Sequence, residues 1–193
     1  LCRFYGIETS KLDLFKLSSI AQLSINDMGS CGDIAASVFG GLISYSSYDR
    51  NWVIDRLKNT PIKDLLEMDW PKLEINYLPI PRNFHLLIGW TGSPASTAHL
   101  VDRVKDKKEN KDEIYNDFLE KSQALVNRMI KGFKEENVDL IQENIAANRR
   151  LLKSMGESLN VLIETESLSR LCEIAKSYEA FAKSSGAGGG DCG

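Results

Sequence analysis

The chain is short of the residues that build metal and redox centres. It has two histidines, His85 and His99, and four cysteines, Cys2, Cys31, Cys172 and Cys192, with no two cysteines at C-x-x-C spacing. Catalysis and metal binding need partners in geometry, so isolated histidines read as ordinary polar or core residues. The cysteines read as reduced thiols of a cytoplasmic protein. Basic charge is not in excess either. The net charge of −3 leaves no basic face for nucleic acid, so a phosphate ligand would depend on local donors. No apolar stretch approaches the length of a bilayer span, which leaves no membrane partner to expect. With 42% hydrophobic and 26% charged residues the chain is not disordered, and 193 residues suffice for one domain or two small ones.

What the chain does have is glycine near its end. Lys183-Ser184-Ser185-Gly186-Ala187-Gly188-Gly189-Gly190-Asp191-Cys192-Gly193 places four glycines in five positions. Residues without Cβ let backbone N–H groups approach a ligand closely, and converging N–H groups form an anion-binding concavity. Two hydroxyls and a lysine stand just ahead, so phosphate is the ligand that suits the pattern. A flexible Gly/Ser linker is the alternative. Against it, an amphipathic helix pattern runs into the glycines and Asp-Cys interrupts them. A Walker A loop is excluded, because no Gly-Lys-Ser/Thr and no helix follow the glycines. The dinucleotide fingerprint fails as well, for want of a preceding strand.

Leu12, Leu14, Phe15, Leu17, Ile20 and Leu23 recur at mostly helical spacing and predict a buried helix over 11–25, then a turn at 26–29. A second helix starts at Ser30 or Gly32 and ends at Gly40-Gly41. Residues 42–48 read as a strand, 51–57 as a short helix, and 60–70 as a partly helical connection. Pro71, Pro79 and Pro81 isolate candidate strands over 73–78 and 84–89. Ser93 and Pro94 then open a helical half, with helices over 95–108, 112–132, 136–155 and 165–183. The last places Leu168, Leu171, Ala175, Tyr178 and Ala182 on one face. The mixed-sign run 105–113 reads as a solvated helix end and turn.

Three segments together resemble the kinases grouped as galactokinase, homoserine, mevalonate and phosphomevalonate kinases. The glycine run resembles that superfamily's third motif, and Ser184-Ser185 before it with Asp191-Cys192 after it resemble the bacterial phosphomevalonate kinase branch. Asn26-Asp27-Met28-Gly29-Ser30-Cys31-Gly32-Asp33-Ile34-Ala35-Ala36-Ser37 resembles the segment that puts an aspartate at a helix head near the acceptor. Gly89-Trp90-Thr91-Gly92-Ser93-Pro94-Ala95-Ser96-Thr97 resembles the strand–turn–helix that opens the second domain.

The resemblance implies an α+β, two-domain small-molecule kinase fold. Residues 1–72 would end a ribosomal-protein-S5-like N-terminal domain, and residues 73–193 would form a helix-rich, ferredoxin-like C-terminal domain. The active site would lie in the crevice between them. The implied reaction moves the γ-phosphate of ATP, with Mg²⁺, to 5-phosphomevalonate, giving the diphosphate in the mevalonate route to isoprenoids. A sister enzyme of the superfamily (mevalonate kinase or diphosphomevalonate decarboxylase) and a non-catalytic phosphate-binding module stay open as alternatives. The family's Lys-rich first motif and Gly-Leu-Gly-Ser-Ser loop do not occur in these residues. The chain is therefore expected to be a segment of a larger enzyme, inactive alone, with its metal ligands elsewhere. Oligomeric state is not implied.

The loop residues Lys183, Ser184, Ser185, Gly186, Ala187, Gly188, Gly189 and Gly190 would bind substrate or nucleotide phosphate. Lys183 has a second reading, as a cation at a helix C-terminus. Asp33 is the candidate catalytic residue. It acts as base, as an orienting group for a lysine, water or metal, or only as a helix cap. A phosphate acceptor, largely ionised at neutral pH, has little need of a strong base. Ser30, Ser96 and Thr97 are further candidates for substrate contact, the last two from a helix start that attracts anions or simply caps. Trp90 reads as a packing anchor, and Ser44, Ser46 and Ser47 need no function.

Overall fold

The computed structural model describes residues 4–25, 29–92, 112–186, 188–190 and 192–193. They form seven helices and a two-stranded sheet, in two units, Leu1–Leu78 and Pro79–Gly193. The predicted turn at 26–29 lies mostly, and the helix over 95–108 wholly, outside the described residues. Among the described residues no helix is long and apolar enough to cross a membrane.

The first unit begins with α1 (Lys11–Ser24). Its start is set by a reciprocal cap: Ser10 Oγ accepts the Asp13 amide at 3.0 Å while the Ser10 amide donates to Asp13 at 3.2 Å. The buried face carries Phe15 and Ile20 as the spacing predicts, but Leu12 stays 40% exposed and Lys16 is buried instead. The reason is polar. Lys16 Nζ donates to the carbonyls of Leu66 and Met68, both at 2.7 Å, and lies over the Trp70 ring. Phe15 is fully buried at the centre of an aromatic cluster with Phe39, Tyr45 and Tyr48.

Helix α2 (Gly32–Phe39) ends at Gly40, as its glycines predict. Strand β1 (Ile43–Ser46) is shorter than the strand predicted over 42–48. Helices α3 (Arg50–Leu57) and α4 (Ile62–Glu67) lead to β2 (Glu74–Tyr77), which pairs antiparallel with β1 from Ile43↔Tyr77 to Ser46↔Glu74.

The second unit is built on α5 (Asp112–Lys134) and α6 (Val138–Leu159), a helical hairpin closed in three residues. Gly132 permits the close turn, because a Cβ there would lie 2.9 Å from Ile141. The cluster of Met155, Leu159, Val161 and Ile163 packs under Tyr115, Phe118 and Leu152. Helix α7 (Glu166–Ser177) follows, with Thr165 as its N-cap.

Two expectations fail here. Residues 84–89 form no strand among the described residues. A strand needs a partner, and the pairing is confined to Trp90↔Cys192 and the reciprocal Gly89–Gly193 bonds at 2.9 and 3.0 Å. Helix α7 stops at Ser177 and does not run on to 183. Ala180 N–H closes on the Ala175 carbonyl at 3.0 Å and Glu179 turns to φ +58°, so Tyr178 is 80% exposed and not on the buried face. That face is Leu168 and Cys172.

Candidate functional site

The glycine run is a folded loop with fixed anchors, not a linker. Gly186, Gly188, Gly189 and Gly190 have φ of +54°, +83°, +87° and +117°, a region that costs side-chain-bearing residues strain. The Ser185 amide donates to the Cys192 carbonyl at 2.8 Å, the Gly188 amide to Ser185 at 3.2 Å, and the Gly189 amide to Ile163 at 2.8 Å. Thr91 Oγ1 donates to the Gly190 carbonyl. Gly188 and Gly190 are buried, and Ser185 and Gly186 are exposed.

These bonds sort the loop's donors. The Gly189 amide points inward to Ile163 and the Gly188 amide closes a turn within the loop on Ser185, so both are spent on holding its shape. The Gly186 and Gly190 amides have no backbone acceptor among the described residues. Of the two serines, Ser184 is 3% exposed and Ser185 faces solvent. The positive end of α7 borders the loop, since a Cβ on Gly190 would sit 3.1 Å from Thr165, its N-cap. A helix N-terminus favours an anion nearby. Ala187 and Asp191 lie outside the described residues, as do Ser96 and Thr97.

Lys183 is not at a helix end, which removes its reading as a dipole cation. Its ammonium donates to the Ser184 carbonyl at 2.6 Å, and burial pushes its pKa below the ordinary lysine range. Its side chain is half-buried at the loop's entrance.

In the first unit, Asp33 sits in the first turn of α2, exposed, with no side-chain partner among the described residues. It does not cap the helix. The cap position is Cys31, in a left-handed conformation (φ +61°) with no side-chain cap bond. The turn before Asp33 is held from outside: Tyr45 OH and Ser47 Oγ donate to the Ser30 carbonyl at 2.7 and 3.3 Å, and Arg50 donates to the Gly29 carbonyl. Ser30 Oγ accepts the Gly32 amide at 3.3 Å. Cys31 is buried, its thiol against Gln22 and Tyr48, and burial followed by that thiol pushes the Tyr48 pKa up.

Sequence reasoning missed Tyr45, Ser47 and Arg50, which position the aspartate turn, and Ile163, which positions the loop. Ser47, which by its sequence needs no function, lies just past the end of β1. No local pattern marks any of the four, since each acts on a backbone group distant in sequence.

Residues 129–193, which contain the hairpin's second half, α7 and the loop, match the family described as GHMP kinases C terminal. This segment belongs to that family. Over 190 residues the chain is 33% identical to phosphomevalonate kinase of Streptomyces sp. (strain CL190), covering 98% of this chain and 51% of the relative. It superposes on the Streptococcus pneumoniae phosphomevalonate kinase in complex with phosphomevalonate and AMPPNP with a TM-score of 0.84 at 31% identity, covering 99% of this chain and 55% of that one. The mevalonate kinase of Pyrococcus horikoshii is less similar, 28% identical over 98% of this chain and 49% of the relative. The chain spans about half the length of these relatives. The α+β GHMP kinase fold expected from the three segments is therefore the fold of this chain, and the two phosphomevalonate kinases match it at higher identity than the mevalonate kinase does.

Proposed function

We propose that the intact protein is an ATP-dependent kinase that phosphorylates 5-phosphomevalonate to 5-diphosphomevalonate, and that this chain supplies its glycine loop and its aspartate turn. The observation that carries the reading is the loop's built shape: four positive-φ glycines pinned by the Ser185–Cys192 and Gly189–Ile163 bonds, beside the positive end of α7. Such a cradle presents donors without reorganising as charge moves during transfer, which is what phosphoryl transfer asks of a protein.

In this reading the Gly186 and Gly190 amides and the Ser185 hydroxyl bind phosphate oxygens, and the half-buried Lys183 ammonium favours an anion at the loop's entrance. Ser184, being buried, supports the loop from inside. The acceptor is itself a phosphate with a second ionisation near pH 6, so its attacking oxygen is already charged at neutral pH. Asp33 then orients the acceptor and has no proton to remove. Ser30 supports that turn, and Ser96 and Thr97 stay candidates for the acceptor's anionic groups. Mg²⁺ would neutralise charge on the transferred group. It usually takes one or two carboxylates plus substrate phosphates. Exposed Asp33, without a side-chain partner among the described residues, is a carboxylate this chain could offer it.

The test is turnover of 5-phosphomevalonate and mevalonate side by side by the intact protein with ATP. Preferential use of 5-phosphomevalonate is expected. Use of mevalonate alone would make it a sister enzyme, and ATP binding without transfer to either would make it a binding module.

A further inference from the structure

We infer that Arg149 and Glu164 are a positioning pair for the glycine loop, setting its shape through the Ile163 peptide and so its affinity for phosphate. The inference rests on the phosphate-loop reading above and adds two residues that touch no phosphate.

Arg149, on α6, grips Glu164 with two nearly parallel bonds, Nε to Oε2 at 2.7 Å and Nη2 to Oε1 at 2.8 Å. The Glu164 side chain is 5% exposed and that of Arg149 19%. A forked pair of this kind fixes the rotation as well as the position of the carboxylate. Glu164 directly follows Ile163, so holding its side chain holds the peptide that presents the Ile163 carbonyl. That carbonyl accepts the Gly189 amide at 2.8 Å. It also walls the neighbouring glycine, since a Cβ on Gly188 would stand 2.6 Å from it. The two inward residues of the loop therefore take their place from one carbonyl oxygen.

The same guanidinium reaches α7. Its Nη1 and Nη2 lie 3.2 and 3.3 Å from Glu173, and Ser169 of α7 also bonds the Glu164 carboxylate. Arg149 thus ties α6, the 163–164 peptide and the helix whose N-cap borders Gly190 into one frame. An apolar pair of similar volume would serve packing at least as well, because a buried ion pair gives back much of its attraction in desolvation. What the fork adds is geometry, and the element whose geometry it sets is the loop.

The experiment uses the intact protein and two readouts. The first is amide hydrogen exchange at Gly189, which needs no ligand. The second is the Kd for AMPPNP with Mg²⁺ and for 5-phosphomevalonate, measured well below the unfolding temperature. Arg149→Met should speed Gly189 exchange at least tenfold, leave α5 protection unchanged, and weaken the loop's ligand at least tenfold. Arg149→Lys, which keeps the charge but loses the fork, should fall in between and guards against a misfolded methionine variant. The exchanged pair Arg149→Glu with Glu164→Arg should recover part of the loss. Unchanged Gly189 exchange and Kd in a folded variant would overturn the inference while leaving the phosphate reading intact. Wild type that binds neither ligand would overturn the phosphate reading and with it the pair's role in affinity.

Discussion

Replacing Gly188 by alanine adds one methyl group and tests whether the loop is a free tip or part of the unit's interior. Two costs follow from the geometry. At φ +83° an alanine carries strain of about 1–2 kcal/mol. Its Cβ would also lie 2.6 Å from the Ile163 carbonyl oxygen and 2.7 Å from Ile163 Cγ2, one of which is backbone that cannot swing away. Relieving such overpacking costs about 1–3 kcal/mol. Gly186→Ala is the matched control. It also has positive φ, +54°, but a Cβ there meets nothing within 4 Å, so it carries the strain alone. The two variants should therefore differ by about 1–3 kcal/mol, the steric part of the cost. For a cooperative folding unit of about 150–250 residues that separates their midpoints by about 2–12 °C, at about 2–4 °C per kcal/mol. Thermal and urea unfolding of the intact protein, without ligand, read the difference directly. If both variants unfold within about 1 °C of one another, Gly188 does not pack on Ile163 and the anchored loop described above is wrong.

Glu164 has a pKa held below the ordinary glutamate range, first by its hydrogen bonds from Arg149, against the opposing effect of burial. The native state thus binds this proton less readily than the unfolded chain. The contribution is complete above about pH 4.3 and is lost as pH falls through the lower native value, so Glu164→Gln should flatten the acid limb of Tm against pH; parallel limbs for wild type and variant would contradict the assignment. Asp33→Asn in the intact protein should slow turnover by less than the roughly 10²–10⁴-fold expected for a lost general base. An acidic limb in the pH–rate profile, present in wild type and absent in the variant, would instead make Asp33 the base. Lys16→Met should cost about 1–3 kcal/mol by urea unfolding, because the Leu66 and Met68 carbonyls lose a charged donor. Unchanged stability would mean that Lys16 desolvation cancels both bonds.

The sequence by itself determined what depends on neighbours along the chain. Ser10 and Asp13 stand three apart and make a cap wherever a helix can start, so α1 begins where local chemistry says it should. Gly40 ends α2 because it takes φ +68° without strain, and the clustered glycines near the end announced a backbone shaped for close approach. The motifs around Asp33 and Gly186–Gly190 were legible for the same reason, since each is a contiguous string. Apolar periodicity failed where a polar group changed the outcome. Lys16 was hidden in a run of leucines because its carbonyl partners lie about 50 residues away. The apolar pattern that runs through Ala182 has no local stop signal, and α7 ends at Ser177 by closing on its own carbonyls. Only the tertiary structure decided which loop amides turn inward, that Ser184 is buried while Ser185 is exposed, and that Arg149 and Glu164 stand behind Ile163. An amide's direction and a carboxylate's partner are set by what packs against them. For this loop that is the peptide at Ile163 and the first turn of α7, both about 25 residues earlier in the chain.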